Sequence, residues 1–331
     1  MGSASTTSGI DQFLAYPMGP RLRAYLGIAD DLYQGSDSQR DASDAQAFTA
    51  FLRDFQPEPE VAAEQTPDAV VDLLDELVSM DLPEAVLNLA SRYDEALFVH
   101  DFRAQLSLGV AAMLTGQQAQ AEIHLRLAQE LLPAEPAPYI NLVQILLSQQ
   151  RLDEAKAWAL AGLDVEPNNF TLWDLTAEIM RERHGEYMPD TLMVLATKRC
   201  SWAGLSLAAN LTSTGDRYLK ATLLETLHQQ GERDPLFLVE LTGAYGIASE
   251  FSKIPPLVWQ AERSTTKPLP WQLHVHCAQA QISLGQGEPA LDQLTKAEAD
   301  PLLPEEARLA LVDLREEATA LTQEKTPTTL H

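Results

Sequence analysis

Two consecutive stretches decide the fold: FRAQLSLGVAAMLTGQQAQAEIHLRLAQELLP at residues 102–133 and AEPAPYINLVQILLSQQRLDEAKAWALAGLDVEP at residues 134–167. Each contains two runs of apolar residues at the spacing of an amphipathic helix, separated by a short polar turn. Each also closes on a proline, and Pro133 and Pro167 lie 34 residues apart. A period of this length predicts an array of helical hairpins in which each hairpin covers the apolar face of its neighbour.

Small and apolar residues recur at fixed places within this period. In the first copy, which begins at Phe102, they are Leu108–Gly109, Gly116 at the turn, Ala121, Ala128 and Pro133. In the second copy they are Tyr139, Leu142, Ala155 and Pro167, whereas Val143 and Gly162 depart from the pattern. The arrangement resembles the tetratricopeptide repeat family, in which two antiparallel helices cross closely at small residues. The resemblance covers 102–182, where Trp173 and Ala177 open a third copy, and 268–302, with Ala278, Gly285, Ala290 and Ala297.

The fold that we predict is all-α: an α-solenoid of antiparallel helix–turn–helix repeats with divergent N-terminal helices and a C-terminal capping helix. Pro189 is expected to interrupt the second helix of the third repeat. The expected segments are a disordered leader (1–9), an N-terminal helical region (10–56), an acidic helical hairpin (66–101), repeats (102–184), a divergent helical region (185–267), a last repeat with its capping helix (268–322) and a disordered tail (323–331).

The composition excludes several classes of partner. Forty-eight acidic residues against 23 Lys and Arg give a formal charge of −25, which argues against binding to nucleic acid and to anionic lipid. No segment is long and apolar enough to predict a membrane span, and none has the pattern of a signal peptide. Cys200 and Cys277 are too few for a disulfide framework, so we predict a cytoplasmic protein.

The most acidic part of the chain precedes the clear repeats. Between Pro57 and Asp101 there are twelve acidic residues and one basic residue, Arg92. One interpretation is a solvated face that keeps the protein soluble. The other is a docking surface for a basic partner, because an acidic field attracts cationic segments.

The resemblance implies that the first helices of successive repeats line a groove that binds a peptide or a helix. Carried over position by position, the partner-binding residues are Arg103, Leu106, Val110 and Met113, then Ile140, Asn141 and Gln144, then Asp174, Glu178 and Arg181, and finally His276. The subgroup that grips a partner's C-terminal carboxylate needs paired Lys, Arg and Asn residues, and only Asn141 matches. We therefore expect a different ligand, an amphipathic helix or an extended segment. The alternative for each residue is that it packs the repeats or faces water.

Three motifs have the spacing of a cofactor or metal site, but the sequence around each of them does not support that site. Gly285-Gln-Gly-Glu-Pro-Ala290 has the spacing of a dinucleotide fingerprint, but the preceding residues predict a helix instead of the required strand. Glu225 and His228 have the spacing of a di-metal site, which needs a second copy. His274 and His276 stand two residues apart and would point to different faces of a helix. We predict no catalytic residue, no metal and no cofactor.

The predicted function is a non-catalytic scaffold or adaptor that binds a partner protein or peptide in the groove. Two alternatives stay open at this point. The chain could be an accessory or substrate-recognition subunit of an enzyme such as a transferase. The irregular segment 185–268 could also be a ligand-binding or catalytic insertion.

Overall fold

The computed structural model describes residues 13, 16–28, 42–55, 66–212 and 216–324. These residues form α-helices joined by turns and two short 3-10 segments, and the described ranges contain no strand. The predicted leader, 1–9, lies outside these residues. Of the predicted tail, 323–331, the last helix includes the first two residues and ends at Glu324, and the rest lies outside the described residues. By close contacts the chain divides into two compact units, with the division between Glu166 and Pro167. This division falls within the predicted repeat segment 102–184, and the predicted segment boundaries stay predictions.

The first unit contains eight helices among its described residues. They are α1 (Pro20–Leu26), α2 (Ala42–Asp54), α3 (Pro67–Ser79), α4 (Pro83–Ala90), α5 (Phe102–Leu114), α6 (Gln118–Leu131), α7 (Ala137–Ser148) and α8 (Leu152–Val165). Helices α1, α3, α5 and α7 pack in a row, and α4, α6 and α8 each pack against the first helix of their own hairpin. Buried residues of α5, α6 and α7 form one cluster, so neighbouring hairpins share a core.

The second unit continues the alternation in its own described residues. Its helices are α9 (Phe170–His184), α10 (Pro189–Lys198), α11 (Trp202–Leu211), α12 (Leu219–Gln229), α13 (Pro235–Ile247), α14 (Ile254–Ser264), α15 (Trp271–Ser283), α16 (Gly287–Glu298) and α17 (Glu305–Glu324). Helices α9, α11, α13, α15 and α17 each contact the next in the row. The all-α fold built from repeated antiparallel hairpins is therefore confirmed.

The sequence sets where the first helices begin. Thr66, Asp101, Asn169 and Ser201 each accept a hydrogen bond from the backbone N–H three residues later, at 3.0–3.2 Å. Asp234 caps α13 in the same way, through the N–H groups of the second and third residues after it. These side chains satisfy N–H groups that have no partner within the helix, so a cap recurs at the start of successive hairpins.

Close crossings of the two helices depend on small residues, as the repeat pattern predicts. A Cβ atom on Gly109 would lie 2.7 Å from Cγ of Leu125, too close for any larger residue at this position. Ala121 is fully buried in the same hairpin, and Ala155 and Ala290 are fully buried in later ones. The small residue on one helix therefore lets the two helices approach closely at these crossings.

The 34-residue period continues where the sequence pattern weakens. Within the second unit, four hydrogen bonds join residues 34 positions apart: Trp202 N–H to Asn168, Ser206 to Glu240, Thr242 to His276 and Lys296 to Glu262. Residues 189–264 form five helices in the same alternating order. The segment 185–268 therefore continues the row of hairpins, and its helices do not form a separate fold.

The predicted role of Pro189 is also wrong. Pro189 does not interrupt a helix but occupies the first position of α10. At that position the missing N–H would have had no helical partner, and the fixed φ of proline suits the helix. The turn before it ends α9 at Gly185, whose φ of 78° is left-handed.

Candidate functional site

The predicted groove residues of the first helix row in unit one are largely engaged within the chain. Arg103 pairs with Asp72 at 2.8 Å and Asp75 at 3.4 Å, which ties α5 to α3, and these carboxylates raise the pKa of its guanidinium. Leu106 and Met113 pack against the buried cluster that α5 shares with α6 and α7. The charge of Arg103 is therefore already neutralised by carboxylates of the same chain.

The second predicted set behaves similarly. The Asn141 amide donates to the carbonyl oxygen of Ala137 in its own helix at 3.0 Å, and Ile140 is half-buried. Gln144 is exposed, and Val110 on the neighbouring helix is half-buried. Of the seven residues predicted in this unit, Arg103 and Gln144 are exposed, and Arg103 is held in ion pairs.

The carboxylates of the acidic hairpin are partly committed to its own packing. Both oxygens of Glu76 accept hydrogen bonds from the N–H groups of Arg21 and Leu22, at 3.1 and 3.2 Å, and so cap α1 from a neighbouring helix. Asp72 pairs with Arg21 at 3.1 Å as well as with Arg103, and Asp75 accepts from the hydroxyl of Ser107 at 2.5 Å.

Arg92 has a structural role in the same region. Its guanidinium donates to the carbonyl oxygens of Leu52, Arg53 and Phe55, at 2.6–2.8 Å, and thereby closes the C-terminal end of α2. A cation at this end is favoured by the negative pole of the helix dipole. Much of the charge between Pro57 and Asp101 thus holds neighbouring helices together.

In unit two, by contrast, the predicted residues Asp174 and Glu178 line an open cleft. It lies between α9 and α11 and has a volume of about 410 Å³. Leu175, Leu207 and Leu211 supply its apolar lining, and the ring of Tyr187 stands at its edge. We call it the α9–α11 cleft.

The charged groups of this cleft are unequally compensated. Arg181 forms ion pairs with Glu178 and with Glu182, and its guanidinium lies 6.0 Å from the centre of the Tyr187 ring. The Arg181 guanidinium lowers the pKa of Glu178, whereas burial raises the pKa of Asp174. Asp174 makes no ion pair or hydrogen bond through its side chain with the described part of the chain.

His276 lines a second, smaller cleft, between α13 and α15, which we call the α13–α15 cleft. Its volume is about 220 Å³, and Gly243, Gly246 and Ile247 form part of its wall. The Nδ1 atom of His276 lies 2.8 Å from the hydroxyl of Thr242, and burial lowers the pKa of the imidazole. Ile247, the last residue of α13, is 63% exposed.

The two clefts occupy equivalent places in the repeat. Applying the 34-residue period twice brings Asp174 onto Thr242, Glu178 onto Gly246 and Leu211 onto Gln279, and all six residues line one of the two clefts. Both clefts are therefore on the same face of unit two, the face formed by its first helices.

Several lining residues have no signal in the sequence. Leu207, Leu211 and Ile247 are apolar residues in apolar helices, and their spacing is that of a core. Tyr187 lies in a turn. Only the packing shows which of these apolar side chains stay uncovered.

The histidine and glutamate residues of the candidate metal motifs form hydrogen bonds and ion pairs with neighbouring side chains of the chain. His274 bonds Gln293 at 2.8 Å while His276 bonds Thr242, so the two rings point to different partners as predicted. Glu225 pairs with Lys253 at 3.0 Å. Cys277 is buried, which raises the pKa of its thiol to about 12.

Within the described ranges, no group of three or more His, Cys, Asp and Glu residues is placed to hold a metal ion. None of the described helices is both long and apolar enough to cross a membrane.

Comparison with known proteins gives similarity only at the level of structure. No protein-family model matches the chain, and no curated protein does. A tetratricopeptide repeat protein from Parabacteroides merdae is similar over 76% of this chain and 98% of its own, with 12% identity and a TM-score of 0.39. The thermophilic TPR protein TTC0263 from Thermus thermophilus is similar over 67% and 99%, with 16% identity and a TM-score of 0.31. The Cut9–Hcn1 hetero-tetramer of the APC/C is similar over 96% and 67%, with 13% identity and a TM-score of 0.36.

These likenesses are distant, and the repeat assignment stands on the chain's own geometry. Hairpins of about 34 residues cross at Gly109 and at buried alanines, and hydrogen bonds join equivalent positions of neighbouring hairpins. The protein is a tetratricopeptide-like repeat protein in this sense.

Proposed function

We propose that the protein is an interaction scaffold without chemistry of its own, and that a segment of a partner protein lies along the first-helix face of its second unit. The observation that supports this most is the pair of clefts at equivalent repeat positions, α9–α11 and α13–α15. A recurring cleft on one face suits a peptide or a helix that runs across several repeats.

The side chains of these clefts favour a polypeptide partner. Tyr187 and Ile247 are 43% and 63% exposed beside the lining of the two clefts, where a bound polypeptide segment would cover them. Both clefts are built on helices packed in a row, which fix the positions of the lining residues before a partner arrives. The predicted contacts Asp174, Glu178, Arg181 and His276 are part of this proposal. Val110 and Gln144 stay predicted contacts on the first helices of unit one.

We propose that the protein works in the cytoplasm or a similarly reducing compartment. Cys277 is buried and Cys200 is exposed, and both are free thiols, which persist where disulfides are kept reduced.

Site-specific photo-cross-linking tests the proposed face. p-Benzoylphenylalanine is placed at Gln279, an exposed residue of the α13–α15 cleft, or at Gln260, an exposed glutamine on the second helix α14. Irradiation of intact cells followed by mass spectrometry should give an adduct with a specific protein from position 279 and none from position 260. An adduct from position 260 alone, or equal adducts from both, would mean that the first-helix face is not the binding face.

The same experiment separates the scaffold from an accessory subunit. If the cross-linked protein is an enzyme whose activity depends on this chain, the accessory role is the correct one. A partner without enzymatic activity supports the scaffold.

A further inference from the structure

The α9–α11 cleft contains an uncompensated carboxylate. Asp174 is an exposed residue on its wall without a basic partner in the described part of the chain, and neighbouring atoms bury part of the residue, which raises the pKa of its carboxyl. A carboxylate in this situation loses hydration without gaining a counter-charge. A cation from another molecule would supply that counter-charge.

The neighbouring charges cannot compensate Asp174. The nearest cation along α9, Arg181, is held by Glu178 and Glu182. Asp174, Glu178 and Glu182 thus bring three negative charges to the cleft and its rim, against the single positive charge of Arg181. The excess is negative, so the ligand that complements it is positive.

The apolar part of the cleft decides what kind of cation fits. Leu175, Leu207 and Leu211 make much of the lining apolar, and no group of three or more His, Cys, Asp and Glu residues in the described ranges is placed to hold a metal ion. The side chains of lysine and arginine combine a charged end with a stem of methylene groups, which packs well on apolar surface. The space of about 410 Å³ accommodates such a side chain together with some of the backbone that carries it.

We infer that the α9–α11 cleft receives a lysine or arginine side chain of the partner segment, with its stem on Leu207 and Leu211 and its charged end at Asp174. The inference rests on the proposed function and specifies the partner's chemistry: a segment that carries a basic residue beside apolar ones.

Selection from a random peptide library tests the inference even while the partner protein is unidentified. A phage-displayed library of random dodecapeptides is panned on the full chain, on Asp174→Asn and on the control Asp313→Asn. Asp313 is an exposed aspartate of α17 outside both clefts. The wild type and the control should enrich peptides that contain Lys or Arg next to an apolar residue, and Asp174→Asn should lose this preference.

The strongest selected peptide is then synthesised and titrated. Its affinity for Asp174→Asn should be about fivefold weaker than for the wild type, the scale of one partly exposed charge pair, and its affinity for Asp313→Asn should be unchanged. Circular dichroism checks that the three proteins are equally folded.

The possible failures are distinguishable. Enriched peptides without basic residues, or the same basic content on Asp174→Asn, would overturn the cation site and leave the binding face intact. A library that yields no peptide enriched over a blank surface would overturn both the cation site and the proposed peptide-binding function.

Discussion

At the scale of single residues, each described turn between the two helices of a hairpin contains a residue with a left-handed backbone. In three of them it is a glycine, Gly116, Gly185 or Gly285, with φ between 70° and 78°. In the turn after α7 it is Gln150, with φ of 59°, and in the turns after α3 and α13 it is Asp81 and Ser249, with φ of 56° and 61°. A side chain at this φ crowds the following carbonyl, so the glutamine costs conformational energy that a glycine avoids.

Replacing Gln150 by glycine should therefore raise the free energy of unfolding by about 1 kcal/mol. Gln150 is exposed, so the substitution removes no buried contact. The measurement is urea unfolding followed by circular dichroism. Gln150→Ala is the matched control, because alanine keeps the crowding and should leave the stability close to that of the wild type. Equal stabilities of the glycine and alanine variants would contradict the argument.

The residue scale also shows why the candidate site is only partly visible in the sequence. Asp174, Glu178 and His276 are predicted because the repeat places them on the first-helix face, and all three line clefts there. Arg103 is predicted by the same rule, yet it pairs with Asp72. A position in the repeat gives the direction of a side chain, whereas its partner depends on a helix that is distant in sequence.

At the scale of helices, the structure favours a glycine at both glycine positions of the Gly285–Ala290 motif, but for different physical reasons. Gly285 adopts the left-handed turn, with φ of 70°. Gly287 opens α16 where α17 passes so close that a Cβ atom would collide with the carbonyl oxygen of Ala318. Backbone cannot move aside as a side chain can, so this contact fixes how the last helix lies on its neighbour.

A pair of glycine substitutions tests this packing. Gly287→Ala should lower the free energy of unfolding by about 1–3 kcal/mol and increase amide hydrogen exchange along α17, because the two helices must separate. Gly246→Ala, in the last turn of α13, should instead raise the free energy of unfolding by up to about 1 kcal/mol, since its new Cβ meets nothing within 4 Å. The decisive result is that the two substitutions change the free energy of unfolding in opposite directions. A loss of stability in both variants would show that helix propensity and packing do not explain them.

Helices α5–α8 could be predicted well, because their apolar spacing, small residues and closing prolines all agree. The hairpins between Pro189 and Ser264 could not, although their period is the same. There the register is held by polar pairs such as Ser206 with Glu240 and Thr242 with His276. In a sequence, polar residues on a helix are typical of an exposed face, and nothing marks them as partners across 34 residues.

At the scale of the whole molecule, the formal charge of −25 has two separable consequences. Like charges repel one another most in the compact state, so a large excess of one sign destabilises folding. The ion pairs of the described chain, such as Arg103 with Asp72, are mostly exposed on one or both sides, and each contributes little. Added salt screens the long-range repulsion, whose Debye length shortens to about 10 Å at 0.1 M.

We therefore expect the melting temperature to rise by a few degrees as NaCl increases from about 10 to about 300 mM. Over the same range the affinity of the selected basic peptide should fall, because salt also screens the attraction between its cation and Asp174. Scanning calorimetry and fluorescence anisotropy measure the two quantities on the same samples. A melting temperature that falls with salt would mean that local ion pairs outweigh the net charge. An affinity that rises with the melting temperature would mean that the peptide reports only the folded fraction, in conflict with a cation held at the α9–α11 cleft.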